Sequence, residues 1–381
     1  MSLDAFRSHF SQTTQNGIFF DNASMGPVAP EVTAAMTACM ELRQAMPMKY
    51  YNYAAQLFPA CRALLSRLIG CEPDELVFTE NVAYGINCAA RALPLCLGDN
   101  VILCDREYSS NVYPWLCLQR DRGVEARIVP HDGGGLTVNR LEQYADSHTR
   151  VVTVSSVEFS DGFATDLEAI GQWCRDHNVF LVVDCAQSLG VMPMDVRRFH
   201  IDVLVGLSSK WLLGPFSTGF LYIRRELAQE LEPAFAGADS VKTDIASIDR
   251  DLVWHDGAAR FALSLPNAPG IAGLHASLSL MEQIGFSDIR RKAWQVSSHL
   301  IHGLQDIGAA LAPCTLLEKT RSTIVSFAPV NPQNTYSYLR EHGVACSLRG
   351  TFIRMGIHGF NTEEEAEQVL VLLRNHMQKR T

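Results

Sequence analysis

A chain of 381 residues is too long for one ordinary hydrophobic core and suits two domains. A net charge of −9 excludes the clustered basic surface that nucleic acid requires, and no apolar run is long enough to span a bilayer. The opening residues lack the charged and apolar regions of a secretory signal, and the 11 cysteines show no C-x-x-C pair or metal-type spacing, so the expectation is a cytoplasmic protein with reduced thiols and no metal.

In chain order, residues 1–17 predict a short helix and a lead-in. The stretch GIFFDNASMG (17–26) sets Asp21 and Asn22 after a short apolar run; an Asx-turn and a ligand contact are both open there. Residues 30–45 predict an amphipathic helix. Tyr50, Tyr51 and Tyr53 then cluster, which suits interface packing, and residues 55–69 predict a second helix. Residues 75–79 are a strand, and ENVAYGINCAARAL begins a helix at once. A strand, a short polar turn and a helix N-terminus aim free N–H groups and a positive dipole end at an anion. Further strands are predicted at 100–104, 127–130 and 150–155. The loop VEFSDGFATDL leads into a helix over 166–176, capped by Thr165 or Asp166, with Glu158 and Ser160 both open as polar contacts.

Residues 180–183 form a fully apolar strand ending in Asp184, followed by small residues and Gln187. Residues 201–205 form another, stopping at Gly206, and a polar turn delivers Lys210 into WLLGP. Residues 216–223 supply a seventh strand. Seven strands, most separated by helices, predict a mostly parallel sheet with helices on both faces. After a helix and a polar irregular stretch (225–258), a long helix runs over 267–283. Residues 286–381 then alternate helices (286–308, 332–341, 363–378) with short strands (322–327, 352–355), an α+β module. The expected division is a large domain over 18–265 and a small one over 1–17 and 266–381.

Lys210 alone has two readings, an amine snorkelling to water or a desolvated nucleophile. In an open parallel sheet ligands bind off the carboxyl ends of strands, and an aspartate there is costly unless it meets a cation or strong donors. Gln187 can donate from the same rim. A strand-end Asp184 with a strand-end Lys210 meets the needs of pyridoxal 5'-phosphate. The lysine forms the Schiff base, and the carboxylate keeps the pyridine nitrogen protonated so that the ring is an electron sink.

The pair DCAQSLG and SSKWLLGP resembles the class V aminotransferase family of pyridoxal-phosphate enzymes, which includes cysteine desulfurases, selenocysteine lyases, isopenicillin N epimerase-like proteins and kynureninase. The likeness runs from FDNASMGP to IRMGIHGFNT. It implies a fold-type-I homodimer with its active site at the subunit interface and the strand after Lys210 antiparallel. It also implies a phosphate held by the N–H groups of Val82 and Ala83, where relatives often have a threonine. Tyr108 is then the residue stacked on the cofactor ring, because Ser109 cannot stack. Ser209 replaces a frequent histidine, and Ser264-Leu265 replaces the Gly-Thr that relatives donate to the partner's phosphate. Asn22 falls beside the substrate. Arg354, otherwise a strand arginine in a salt bridge, becomes the clamp on the substrate carboxylate. Only residues 349–353 separate Leu348 from Arg354, so the desulfurase loop with its nucleophilic cysteine is missing, and Cys346 reads as a buried thiol. The expected activity is Cα deprotonation of a small amino acid or amino-acid conjugate followed by β-elimination. Epimerisation and transamination are the alternatives within the family, and a catalytically idle homologue is the alternative outside it.

Overall fold

The computed structural model describes residues 2–242 and 250–378. Its centre is a sheet of seven strands: β2 (Leu76–Thr79), β3 (Asn100–Cys104), β4 (Glu125–Val129), β5 (Thr149–Ser155), β6 (Phe180–Asp184), β7 (Val203–Leu207) and β8 (Gly219–Ile223), after a short β1 (Ile18–Phe19) that lies elsewhere. The spatial order is β2-β8-β7-β6-β5-β3-β4. Only β8 runs against the others, pairing antiparallel with both β2 and β7. All seven predicted strands are therefore present in one α/β sheet.

Each central strand is apolar on both faces because helices cover both. Ile102, Val152, Leu181, Val183 and Leu204 enter one core, with the helices Pro47–Ile69 and Ala268–Ile284. Val101, Val151, Val182, Val203 and Val205 enter the other, with the helix Val82–Ala92. The period of two along each strand sorts neighbours into opposite cores.

Two boundaries differ from expectation. The strand before Lys210 is Val203–Leu207, displaced from 201–205, and Gly206 lies within it. Ile201 is apolar but sits in the turn, where its N–H donates to Val196 O. The second helix starts at Pro47, not residue 55. Proline at the first helical position suits a helix start, whereas the tyrosines that follow carry little helical propensity.

The C-terminal module is a four-stranded antiparallel sheet in the order β12 (Ser347–Arg349), β13 (Phe352–Gly356), β10 (Ile324–Ala328), β9 (Ala310–Leu311). The helices Phe286–Asp306 and Glu363–Gln378 cover it, burying Val296, Leu300 and Leu304 with Val369, Leu370 and Leu373. Packing ties the two modules together at both ends of the large sheet's chain. Strand β1 pairs with β11 (Val344–Ala345), and Phe20 enters the small core. The helix Ala268–Ile284 packs on the helices of the large sheet, and the helix that covers the small sheet begins at Phe286. Among the described residues no helix is long and apolar enough to cross a membrane.

Candidate active site

The carboxyl ends of β2, β3, β5, β6 and β7 converge, and side chains just beyond them line a cavity of about 250 Å³. Val82, Ala83, Tyr108, Asp184, Gln187 and Lys210 all line it. The sheet's parallel strands bring together residues more than a hundred positions apart, as the strand-end rule anticipates.

Asp184 is 4% exposed and ends β6. Its Oδ1 accepts from Ala186 N at 2.8 Å. Burial raises its pKa, opposed by the Ala186 N–H and by the Lys210 charge. The Lys210 pKa is lowered from 10.5 to about 8, first by desolvation and then by Arg354 and Arg349, with Asp184 opposing. A larger neutral fraction near physiological pH makes this amine a nucleophile and a base. Its Nζ lies 5.8 Å from the centre of the Tyr108 ring, which meets Phe159 edge-on.

The turn before the helix Val82–Ala92 matches an anion cradle. Asn81 caps the helix by accepting from Tyr84 N at 2.9 Å, leaving the first-turn N–H groups of Val82 and Ala83 without intrahelical acceptors. The residues present fit pyridoxal phosphate: two free amides for a phosphate, an aromatic face, an amine of lowered pKa, and a dry carboxylate suited to a protonated ring nitrogen.

Gln187 carries a second task. Its Nε2 donates to Ala23 O at 2.9 Å and its Oε1 accepts from Trp211 Nε1 at 2.9 Å. This amide ties the segment 21–26 to the Lys210 loop. Ser209 serves the same junction through its backbone, accepting from Gly26 N at 2.9 Å. A methyl at Gly26 would lie 2.1 Å from Lys210 O, so only glycine allows this approach. Gly26→Ala is therefore expected to displace the Lys210 loop, costing about 1–3 kcal/mol of stability and weakening cofactor retention. Thermal melts with and without added pyridoxal phosphate check it; an unchanged midpoint would contradict the close approach.

Asn22, expected at the substrate, does not line the cavity. It is fully buried and its Nδ2 donates to Gly356 O at 2.8 Å. Its neighbours Asp21 and Ser24 reach Arg354 instead. Arg354 Nη2 donates to Ser24 Oγ at 2.8 Å, Nη1 donates to the Phe159 carbonyl, and Asp21 Oδ1 lies 3.7 Å away. Arg354 is 1% exposed, and burial followed by the Arg349 charge lowers its pKa to about 10. Ser264 also lies outside the cavity, in a larger neighbouring one of about 550 Å³ with Thr79, Thr218 and Asn267. His358 is fully buried and held near pKa 4 by desolvation, so it is neutral, donating from Nε2 to Trp211 O at 3.1 Å.

Two acids escaped the sequence reading or stayed open in it. Glu107 is buried and accepts from Ser155 N at 2.5 Å, Ser155 Oγ at 2.7 Å and Asn111 Nδ2 at 2.9 Å, clamping the loop after β3 to the end of β5. Glu158 is 1% exposed, and its Oε2 has no hydrogen-bond partner among the described residues. Burial raises both pKa values; Asp184 adds to both, and Glu107 and Asp161 add to that of Glu158. A glutamate three residues past a strand usually sits in solvent, so the sequence carried little signal for Glu107.

Fold and site together define a fold-type-I enzyme built to hold pyridoxal phosphate. The Aminotransferase class-V family profile matches residues 18–369. A probable cysteine desulfurase of Methanothermobacter thermautotrophicus is 31% identical over 92% of each chain. An uncharacterized aminotransferase, YcbU, of Bacillus subtilis is 27% identical over 80% of each. A cystine C–S lyase, C-DES, solved with its product cysteine persulfide, is 25% identical with a TM-score of 0.85, covering 94% of this chain and 98% of its own. The apo cysteine desulfurase of Thermococcus onnurineus shares the fold at a TM-score of 0.85 and 23% identity, over 97% of this chain and 96% of its own. The chain belongs to the pyridoxal-phosphate-dependent class V aminotransferase family.

Proposed function

We propose that this enzyme removes a sulfur-bearing β-substituent from a small amino acid by elimination. The observation that carries the reading is the hairpin before Arg354. Strands β12 and β13 pair Arg349 with Phe352, leaving only Gly350 and Thr351 as the turn. No loop there can swing a thiol over the cavity. Cys346 is 2% exposed, and burial pushes its pKa up to about 12, so it is not a thiolate. The likeness to a cystine C–S lyase supports a leaving group that departs directly.

Val82 and Ala83 would hold the phosphate, Tyr108 the ring face, Asp184 the ring nitrogen and Lys210 the aldehyde carbon. The bound cofactor supplies an electron sink for the Cα carbanion. The Lys210 amine would also be the base for the Cα proton of a bound substrate. Arg354 orients the α-carboxylate. The Cβ–S bond then breaks, the thiolate leaves with a proton, and water converts the remaining three-carbon unit to pyruvate and ammonium. We read the site as lying at a homodimer interface, a reading supported by the solvent-exposed Leu265 beside Ser264 in the cavity next to the cradle; light scattering measures that assembly directly.

The test is one incubation with an S-substituted cysteine in deuterated water. Pyruvate equal to the thiol released is the expected result. Deuterium at Cα with inverted configuration and no pyruvate would identify an epimerase. Accumulated pyridoxamine phosphate, rescued by a ketoacid, would identify a transaminase, and a protein that stays colourless with added cofactor would identify an idle homologue. Cys346→Ser should retain turnover within about threefold, since the thiol is buried among apolar neighbours and touches no reacting atom. A trapped enzyme persulfide at Cys346 would overturn the direct departure.

A further inference from the structure

Two guanidinium groups converge on one hydroxyl of the segment that packs against the Lys210 loop, and only one of them has a carboxylate. Arg354 Nη2 lies 2.8 Å from Ser24 Oγ and Arg349 Nη2 lies 3.4 Å from the same oxygen. Arg354 has Asp21 at 3.7 Å. Arg349 has no carboxylate within ion-pair distance among the described residues. Its Nη1 reaches only the carbonyl of its neighbour Leu348, at 3.4 Å, and its Nε is buried without a partner.

The hairpin register explains the pairing of the two cations. Ser347 pairs with Arg354 and Arg349 pairs with Phe352. Ser347, Arg349 and Arg354 therefore share one face of the small sheet, while Leu348, Ile353 and Met355 enter the core on the other. The shared face meets the segment 21–26, where Ser347 Oγ donates to Asp21 Oδ1 at 2.6 Å. That segment is pinned to the Lys210 loop by Gly26 and Gln187. Both arginines thus reach Ser24, two residues before Gly26, whose N–H donates to Ser209 O in the Lys210 loop.

A planar fork with free donors recognises carboxylates and other oxyanions bidentately. A single α-carboxylate engages one fork. We propose that Arg349 binds a second anionic group, and that the substrate is an amino acid whose β-substituent carries its own oxyanion, such as a carboxylate or sulfonate. The proposal rests on the reading that amino acids react at Lys210 with Arg354 at the α-carboxylate. It adds to that reading the charge of the departing group.

The experiment compares two substrates of the same shape on the holoenzyme, S-carboxymethylcysteine and its neutral amide, S-carbamoylmethylcysteine. The wild type is expected to show a kcat/KM about 10- to 100-fold higher for the acid, the range a charged hydrogen bond supplies. Arg349→Gln should bring the acid-to-amide ratio close to one, and Arg349→Lys should restore part of it. Arg354→Gln should lower both substrates by similar factors. Calorimetry on cofactor-free protein gives a second readout: glutarate should bind more tightly than butyrate, and Arg349→Gln should abolish the difference. A wild type indifferent to the charge, or an Arg349→Gln variant that lowers both substrates equally, overturns the proposal. If neither substrate yields pyruvate, the elimination reading fails, and the glutarate comparison alone decides Arg349.

Discussion

Lys210→Ala is expected to lower turnover by a thousandfold or more while the sheet remains folded. The side chain leaves the connection after β7 and is the one amine lining the cavity. In the proposed mechanism its loss removes both the anchor for the cofactor's carbonyl and the base for the Cα proton, functions that act as a unit. Borohydride treatment of the wild type should fix a pyridoxyl group on the peptide containing Lys210. An adduct on another lysine, or turnover within tenfold of wild type, would remove Lys210 from its role. The same residue has a pH signature in cofactor-free protein. The amine titrates near 8 when folded and near 10.5 when unfolded. Between those values the unfolded chain binds the extra proton, so this group's effect on stability rises with pH across the window. Below pH 8 the buried charge is a standing cost. Lys210→Met removes it, so that variant should be more stable than wild type at pH 7, with the gap closing toward pH 10.5. Urea melts at pH 7 and pH 10 measure the two gaps, and equal gaps would count against a desolvated amine.

Asp184→Asn is expected to reduce turnover by about 10²-fold or more, roughly 3 kcal/mol of barrier at 1.36 kcal/mol per decade. The fold should persist, because asparagine can still accept from Ala186 N through its Oδ1, the contact now made at 2.8 Å. What disappears is the negative charge that the proposed site would set beside the ring nitrogen. A charge in so dry a place is effective because little water screens it. The variant should stay coloured and should lose Cα proton exchange, measured by deuterium incorporation, by the same factor as turnover. Near-normal exchange would show that another group supports the ring nitrogen. Asp184 also adds to the raised pKa values of Glu107 and Glu158, so its neutralisation lets both ionise more readily.

Much of the large sheet was legible because its strands are short apolar runs between turn signals, a pattern set by burial on both faces. Helices with strong start signals emerged at their predicted bounds, as with Pro30–Ala45, Pro332–Glu341 and Glu363–Gln378. The helix from Pro47 was under-read because tertiary packing overrides weak propensity. Lys210, Asp184, Val82 and Ala83 were legible because each stands at or just past a strand end, and strand ends in a parallel sheet share one rim; Tyr108, which lines the same cavity, was named by the family resemblance.

The sequence by itself determined the seven strands, their mostly parallel arrangement and the chemical types at the rim, since these depend on local periodicity, on the helices between strands and on which residues end each strand; that β8 runs antiparallel came from the family resemblance. The tertiary structure alone decided what lies across from that rim. Asn22 and Ser24 are two residues apart, yet one is locked onto Gly356 and the other meets Arg354. Glu107 reaches Ser155 across 48 positions, and Arg349 meets Ser24 across 325. Such contacts join segments distant in the chain, and no local pattern encodes which side chain is turned toward the site and which is spent holding it together.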